Sequence, residues 1–416
     1  MNMDRISNLP LEVLGSILVQ LPLKEAVRTS VLSSKWRHKW TGLPHFVLDD
    51  KIFPSSMSLD KFERWDHISR IIRQVQRNTT GPIETFKLAA YCRPDHYLLA
   101  EWVAFLSGKG LKEFVLKEFD SPKWFKFPFD LLSSSLLRRL ELFGCMIKLP
   151  PAGAFEGLSS LTSLQLNNVF VDTDTLECLI LKCPVLESLT LFDFEKAIFL
   201  KIKNTRLKYL KISSAFRDIC LLNNPLLATV DICLRIPPVL FMEQKDCNLV
   251  RTVGCLHGVK RLVLSAEFLV FLGNCDVPER LCVLLDNLTS LELREVRVDN
   301  IRHMTVLLCL LKSAPNLEEL SISVDRSRFF SKPVTDFVKA QCSLGLSFNS
   351  LKVVKTRGIF ESGLDWILFE LLLAHSPVLE SMSIARYGGV RIPEEHFWRL
   401  KRASERVKIF SFTSTD

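Results

Sequence analysis

One pattern limits the architecture of this chain more than any other. Leu-x-x-Leu-x-Leu, with other apolar residues allowed, recurs twelve times. It stands at Ile83-Phe86-Leu88, Leu111-Phe114-Leu116, Leu137-Leu140-Leu142, Leu161-Leu164-Leu166, Leu186-Leu189-Leu191 and Leu207-Leu210-Ile212. It continues at Leu227-Val230-Ile232, Val259-Leu262-Leu264, Leu288-Leu291-Leu293, Leu317-Leu320-Ile322, Leu351-Val354-Thr356 and Leu379-Met382-Ile384. The last two positions of each copy lie two residues apart, the period of a strand with one buried face. A single strand of this kind cannot bury its leucines alone, so copies have to stack side by side.

Three copies carry a longer motif that says how the stack is wound. Leu179 to Leu189, Leu310 to Leu320 and Leu372 to Met382 each run from an apolar stretch to a proline, Pro184, Pro315 or Pro377, and then into the leucine pattern. Proline stops the apolar helix and the chain turns into a strand. The unit is helix, turn, strand, which predicts an α/β fold with a parallel sheet on the concave side and helices on the convex side. The mean spacing of about 27 residues lies in the leucine-rich-repeat range. Gaps run from 20 residues (Leu207 to Leu227) to 34 (Leu317 to Leu351), so the array is irregular. In the fullest copy, Leu137 to Ile147, Cys145 fills the position usually held by Asn or Cys and is read as structural.

Strand alternation sets the residues between the leucines on the open, concave face. They include Arg139, Glu141 and Phe143; Gln165 and Asn167; Thr190 and Phe192; Tyr209 and Lys211; Asp231; Arg261; Glu292 and Arg294; Glu319 and Ser321. Aromatic and arginine side chains on such a face are typical interface anchors, which makes Phe143, Phe192, Tyr209, Arg261 and Arg294 the candidate target-binding residues. Phe143 and Phe192 either stand open or turn inward at the strand end and pack; Tyr209 is expected to be open.

The N-terminal segment, residues 4–44, follows a different rule. Asn8 as cap and Pro10 in the first turn predict a helix from Leu9 to Gln20, with Leu11, Leu14, Ile17, Leu18 and Leu21 in one stripe. Pro22 ends it, a second helix fits Lys24 to Leu32, and Ser33 or Ser34 caps a third that sets Trp36 and Trp40 on one face. Three short helices make a thin core and leave apolar surface over, which on a small module marks a partner. The Leu9-Pro10 opening, the run from Leu32 to Arg37 and the closing Trp40 resemble an F-box. That resemblance implies docking on the Skp-type adaptor of a cullin-based ubiquitin ligase, with Leu9, Pro10, Ile17, Leu18, Leu21, Val31, Leu32, Trp36 and Trp40 forming the interface or the core behind it. At the other end, Leu351 to Val354, Leu368 to Ile384, Leu400 to Ser404 and Val407 to Phe410 look like the FBD region of plant F-box proteins. The chain is thus similar throughout to the plant F-box/FBD/leucine-rich-repeat family. The expected domains are the F-box (4–44), a connector with an amphipathic helix (45–82), the repeat solenoid (83–345), and the FBD region with terminal repeats and cap (346–416).

Within the connector, Phe46 to Ser58 reads as irregular chain pinned by Phe46, Val47, Leu48 and Ile52. Phe62, Trp65, Ile68, Ile72 and Val75 then alternate with Arg64, Arg70, Arg73 and Arg77, an amphipathic helix whose basic face reads as solvated.

Composition narrows the chemistry. Among 416 residues, 48% are hydrophobic and 24% charged, which suits a globular chain. A net charge of +8 is mild over this length and does not argue for nucleic acid. The twelve cysteines contain no C-x-x-C pair and the eight histidines no ligand-like doublet, so no metal site or cofactor is expected. No signal-like N-terminus or membrane-spanning apolar run is written here, and the expected location is nucleus or cytoplasm. Phosphate-binding, zinc-hydrolase and serine-hydrolase motifs are lacking. The resemblance therefore implies a non-catalytic substrate-recognition adaptor, promoting ubiquitination of a target protein held on the repeats. The same scaffold also suits a small-molecule or hormone signal receptor, or a protein-binding scaffold that works without a ligase.

Overall fold

The structure is a computed structural model. It describes residues 9–413 apart from 22, 33, 35, 38, 54–58, 80, 93–94, 118–123, 133–134, 152–154, 156, 198, 236–251, 275, 326–333, 335, 339, 341–345, 360–362 and 387–399. All twelve leucine patterns lie at strands, and every residue of every pattern is buried. Even Thr356, the one polar member, is inside, its hydroxyl donating to the Ser383 carbonyl at 3.1 Å. The chain divides into two compact units, residues 1–198 and 199–416.

In the first unit six strands pair in parallel: β1 (His45–Asp49), β2 (Thr85–Ala89), β3 (Glu113–Leu116), β4 (Arg139–Phe143), β5 (Ser163–Asn167) and β6 (Ser188–Phe192). Their register sets Phe46, Phe86, Phe114, Leu140, Leu164 and Leu189 in one buried row. The connector expected from Phe46 onward is therefore in part a strand. Phe46 and Leu48 extend the buried rows by one place while Val47 points to the open side, which is why a segment without the leucine pattern still pairs.

The chain returns between strands in more ways than the expected outer helix. Helices span Lys61–Asn78, His96–Ser107 and Thr173–Leu181. Elsewhere the return is a ladder of two-residue parallel strands, Phe125–Lys126, Cys145–Met146, Phe170–Val171 and Glu195–Lys196. Asp60 caps the first helix with a reciprocal capping box to Glu63, and Trp65, Ile68, Ile72 and Val75 face inward. Of the basic face, Arg64 binds Asp50 at 2.6 Å with its guanidinium 4.9 Å from the Phe53 ring, while Arg70, Arg73 and Arg77 are exposed. Phe62 is exposed rather than part of the apolar stripe, since it occupies the first turn at the helix edge.

The second unit carries eight parallel strands: β7 (Tyr209–Ser214), β8 (Thr229–Leu234), β9 (Arg261–Ser265), β10 (Ser290–Val296), β11 (Glu319–Val324), β12 (Val353–Ile359), β13 (Ser381–Arg386) and β14 (Lys408–Thr413). Helices Ala266–Leu272, Ile301–Ser313 and Gly363–His375 make the long returns. The 20-residue repeat has no room for a helix, and its return holds a short strand, Asp218–Leu221, paired with Phe199–Ile202.

The N-terminal segment forms two helices, Leu11–Val19 and Leu23–Arg28, and two 3-10 turns, Thr29–Val31 and Lys39–Gly42. Asn8, the expected cap, lies outside the described residues; Pro10 holds the cap position and offers no side-chain bond. The expected third helix is replaced by turns at Ser34, Trp36 and Arg37 and the second 3-10 turn. Bonds from the Lys39 N–H to the Trp36 carbonyl (3.1 Å) and from the Leu43 N–H to the Trp40 carbonyl (3.2 Å) tighten this stretch. The tighter pitch still buries both tryptophans and delivers the chain to Pro44, whose carbonyl accepts the Glu84 and Thr85 N–H groups at the start of the sheet.

Candidate functional site

Two kinds of surface are available for binding. The first is the N-terminal module. Its first helix is apolar nearly all round, and the single predicted stripe separates into two faces. Leu14 and Leu18 are buried, whereas Val13, Ile17, Val19 and Leu21 are exposed by 36–45%. Val31 and Leu32, at the end of the second helical segment, are exposed by 87% and 64%. Pro10 is exposed and Leu9 half-buried. Of the nine residues singled out from the sequence, Leu18, Trp36 and Trp40 thus form the core, and Pro10, Ile17, Leu21, Val31 and Leu32 form the surface. Val13 and Val19 were missed; Val13, three residues after Pro10 and four before Ile17, had the spacing to be found. A cleft of about 160 Å³ opens where Val19 and Leu21 meet Leu43, Pro44 and Val47.

This module is tied to the connector between β1 and β2 of its own unit. The Thr79 hydroxyl donates to the Thr41 carbonyl at 2.6 Å, and the Lys24 ammonium donates to the Phe53 carbonyl at 2.9 Å. Whatever docks on the exposed leucines and valines is held at a fixed place relative to the first strands.

The second kind of surface is the open side of the strands. In the first unit Phe143, Asn167 and Phe192 lie side by side in register, and both phenylalanines are half-buried, so neither turns fully inward. Glu141, expected to be open, is buried: Lys117 (2.8 Å) and Arg139 (3.2 Å) fold over it. In the second unit Tyr209 is half-buried and Arg261 exposed. The two candidate arginines meet through Glu292, which accepts from Arg261 at 2.5 Å and from Arg294 Nε at 2.9 Å. Arg294 also reaches Asp231 at 3.3 Å, and Lys211 approaches the same carboxylate at 3.3 Å. Three cations share two carboxylates. Burial works against the charge on Arg294, but its bonds to Glu292 and the nearby Asp231 outweigh that and strengthen its hold on the proton.

Away from these faces, burial sets the proton affinities of several cysteines and one histidine. Burial pushes the Cys92 and Cys183 thiols up to about 12 and Cys145 higher still, so they stay protonated and inert. His303 is pulled down to about 4 by burial and by Arg297. Its Nδ1 accepts the Arg297 N–H at 3.0 Å. No group of three or more His, Cys, Asp or Glu among the described residues is placed to hold a metal, and no described helix is long and apolar enough to cross a membrane.

Comparison with known proteins agrees with this layout. The family model for the F-box domain matches residues 6–48, and the model for the leucine-rich repeats of FBD-associated F-box protein At5g56370 matches residues 99–322. The chain is 34% identical to F-box/FBD/LRR-repeat protein At1g13570 of Arabidopsis thaliana over 398 residues, covering 92% of this chain and 91% of the relative. It is 30% identical to F-box protein At1g80960 over 251 residues (56% and 51%) and 29% identical to putative F-box/FBD/LRR-repeat protein At5g44950 over 335 residues (77% and 69%), both from the same plant. An exposed apolar face on a module matched as an F-box, carried at the head of stacked leucine-rich strands, places this chain in the F-box/FBD/LRR-repeat family of adaptor-type proteins.

Proposed function

We propose that this protein is the substrate-recognition subunit of a Skp-cullin-F-box ubiquitin ligase, acting in the nucleus or cytoplasm. The observation that carries the reading is the cluster of exposed apolar side chains, Pro10, Val13, Ile17, Leu21, Val31 and Leu32, on an F-box tied to the connector between β1 and β2. Burying a fully exposed side chain of this size is worth roughly 1.5–3 kcal/mol, and because most of these are already partly covered, a stable complex needs a partner that seats several of them together. The partner is a Skp-type adaptor and, through it, a cullin. The target protein is held on the open strand faces. The chain makes and breaks no bond itself; it raises the effective concentration of target lysines near the charged conjugating enzyme.

Co-expression with a plant Skp-type adaptor followed by size-exclusion chromatography tests this. A one-to-one complex is expected from the native chain. Ile17→Asp combined with Val31→Asp places charges on the apolar face without touching the core, and is expected to abolish the complex while the thermal midpoint stays within a degree or two. No complex with the native chain, or one that survives both charges, refutes the reading.

A further inference from the structure

The last three strands of the second unit form a groove with unlike walls. β12 presents Lys355 and Arg357, both exposed, on the open side. Their register partners on β13 are Ser383 and Ala385, and those on β14 are Phe410 and Phe412. The floor is therefore two small side chains, half-buried Ser383 and buried Ala385, with a cationic wall on one side and an aromatic wall on the other. Phe410 and Phe412 are exposed by 52% and 51% although they lie two residues apart on one strand face, where packed phenylalanines are the rule. The walls stand two strand spacings apart, about 9.6 Å, and the two members of each wall are separated by about 6.6 Å along the strand.

That second distance is also the repeat of an extended peptide, whose alternate side chains point to opposite sides. We infer that this groove binds an extended segment of a partner protein in which acidic and apolar residues alternate, carboxylates toward Lys355 and Arg357 and apolar side chains toward Phe410 and Phe412. Charge complementarity selects the occupant. Lys355 is held at its outer side by Glu319 at 2.5 Å, and Arg357 presents a guanidinium suited to bidentate capture of a carboxylate. A purely apolar strand would offer Arg357 no carboxylate, and a nucleic-acid backbone would set its charges against the two rings. The inference rests on the substrate-recognition reading and gives its target a chemistry: a short stretch of the form acid, apolar, acid, apolar.

The test uses the full chain, expressed with a plant Skp-type adaptor and also without it, and two short fluorescein-labelled peptides of identical composition. In one, glutamate and leucine alternate; in the other, the glutamates and the leucines form two blocks. Fluorescence polarisation at low salt is expected to show the alternating peptide binding about tenfold tighter, the size of one charge-assisted contact. Arg357→Glu and Phe412→Ala, both at exposed positions, are each expected to remove that preference, and raised salt to weaken it. Equal binding of the two peptides, or a preference untouched by Arg357→Glu, overturns the inference. So does concentration-dependent self-association lost on Phe412→Ala, because the groove would then serve a second copy of the chain. Adaptor binding measured on the same samples separates the two readings. A peptide preference without adaptor binding upholds the groove and removes the ligase, whereas adaptor binding without a preference removes the groove alone.

Discussion

The exposed face of the F-box and the open strand face of the second unit offer opposite chemistry to a partner. Val13, Ile17, Val31 and Leu32 carry no charge, and what they offer is area to be removed from water. Lys211, Asp231, Arg261, Glu292 and Arg294 offer little apolar area and are already paired with one another. Apolar burial is non-directional and nearly indifferent to salt, so it suits a partner of constant identity. A partly solvated ion network yields little net energy, yet it penalises any incoming surface of the wrong sign. On the proposed reading, the difference assigns strength to the F-box face and selection to the strands.

The largest effect that tests this division lies in the F-box core. Trp40 is buried at 3% exposure in the 3-10 turn that packs against the helices Leu11–Val19, Leu23–Arg28 and Lys61–Asn78, and Trp40→Ala is expected to cost about 3–5 kcal/mol of unfolding free energy in urea. Val31→Ser, at 87% exposure, is expected to stay within about 0.5 kcal/mol while still weakening adaptor retention. Equal costs for the two would mean that Val31 packs rather than docks.

How far the sequence revealed these surfaces depends on the direction in which contacts run. Along the chain the signal was plain: each leucine pattern is buried, and the prolines at 184, 315 and 377 each precede a strand. Contacts between strands were not readable. Glu141 and Asp231 alternate with leucines just as exposed residues do, yet they are buried because lysines and arginines from neighbouring positions close over them. β1 was hidden because Val47, an apolar residue on the open side, blurs the alternation of Phe46 and Leu48. In the F-box, the four-residue spacing of Trp36 and Trp40 signalled burial correctly but not the backbone, since a tight turn followed by a 3-10 turn buries both rings as a helix would.

A smaller effect comes from pH. His303 lies in the helix Ile301–Ser313 of the second unit, with a folded-state value of about 4 against an ordinary 6.5. Between those values the unfolded chain binds the additional proton, so this histidine's contribution is fully present above pH 6.5 and is lost as pH falls toward 4. The loss amounts to roughly 3 kcal/mol. Urea denaturation of the native chain is expected to show this slope. His303→Asn keeps an acceptor for the Arg297 N–H and cannot titrate there, so its slope is expected to be much shallower, with a remainder from His67, which burial and Arg70 also hold below the ordinary histidine value. The Asp172 carboxyl, held below the usual range by the Thr175 N–H, lies outside the window. Adaptor retention rests on apolar side chains and is expected to stay flat from pH 6.5 to 5. A parallel decline would couple the two regions that the comparison separates.

The smallest effect sharpens the strand side of the comparison. Asp231 has a side chain only 8% exposed and holds both Lys211 and Arg294, so Asp231→Asn leaves two cations facing a neutral amide. The expected cost is about 1–3 kcal/mol. Arg261 is 46% exposed and meets Glu292 at the solvent side, and Arg261→Ala is expected to cost less than about 1 kcal/mol and to become neutral in high salt. Thermal melts in low and high salt measure both. Since Arg261 contributes so little to the fold, any larger loss of target binding on its removal has to come from contact with the target. Arg261→Ala thereby separates a network that holds the strands together from one that reads a partner.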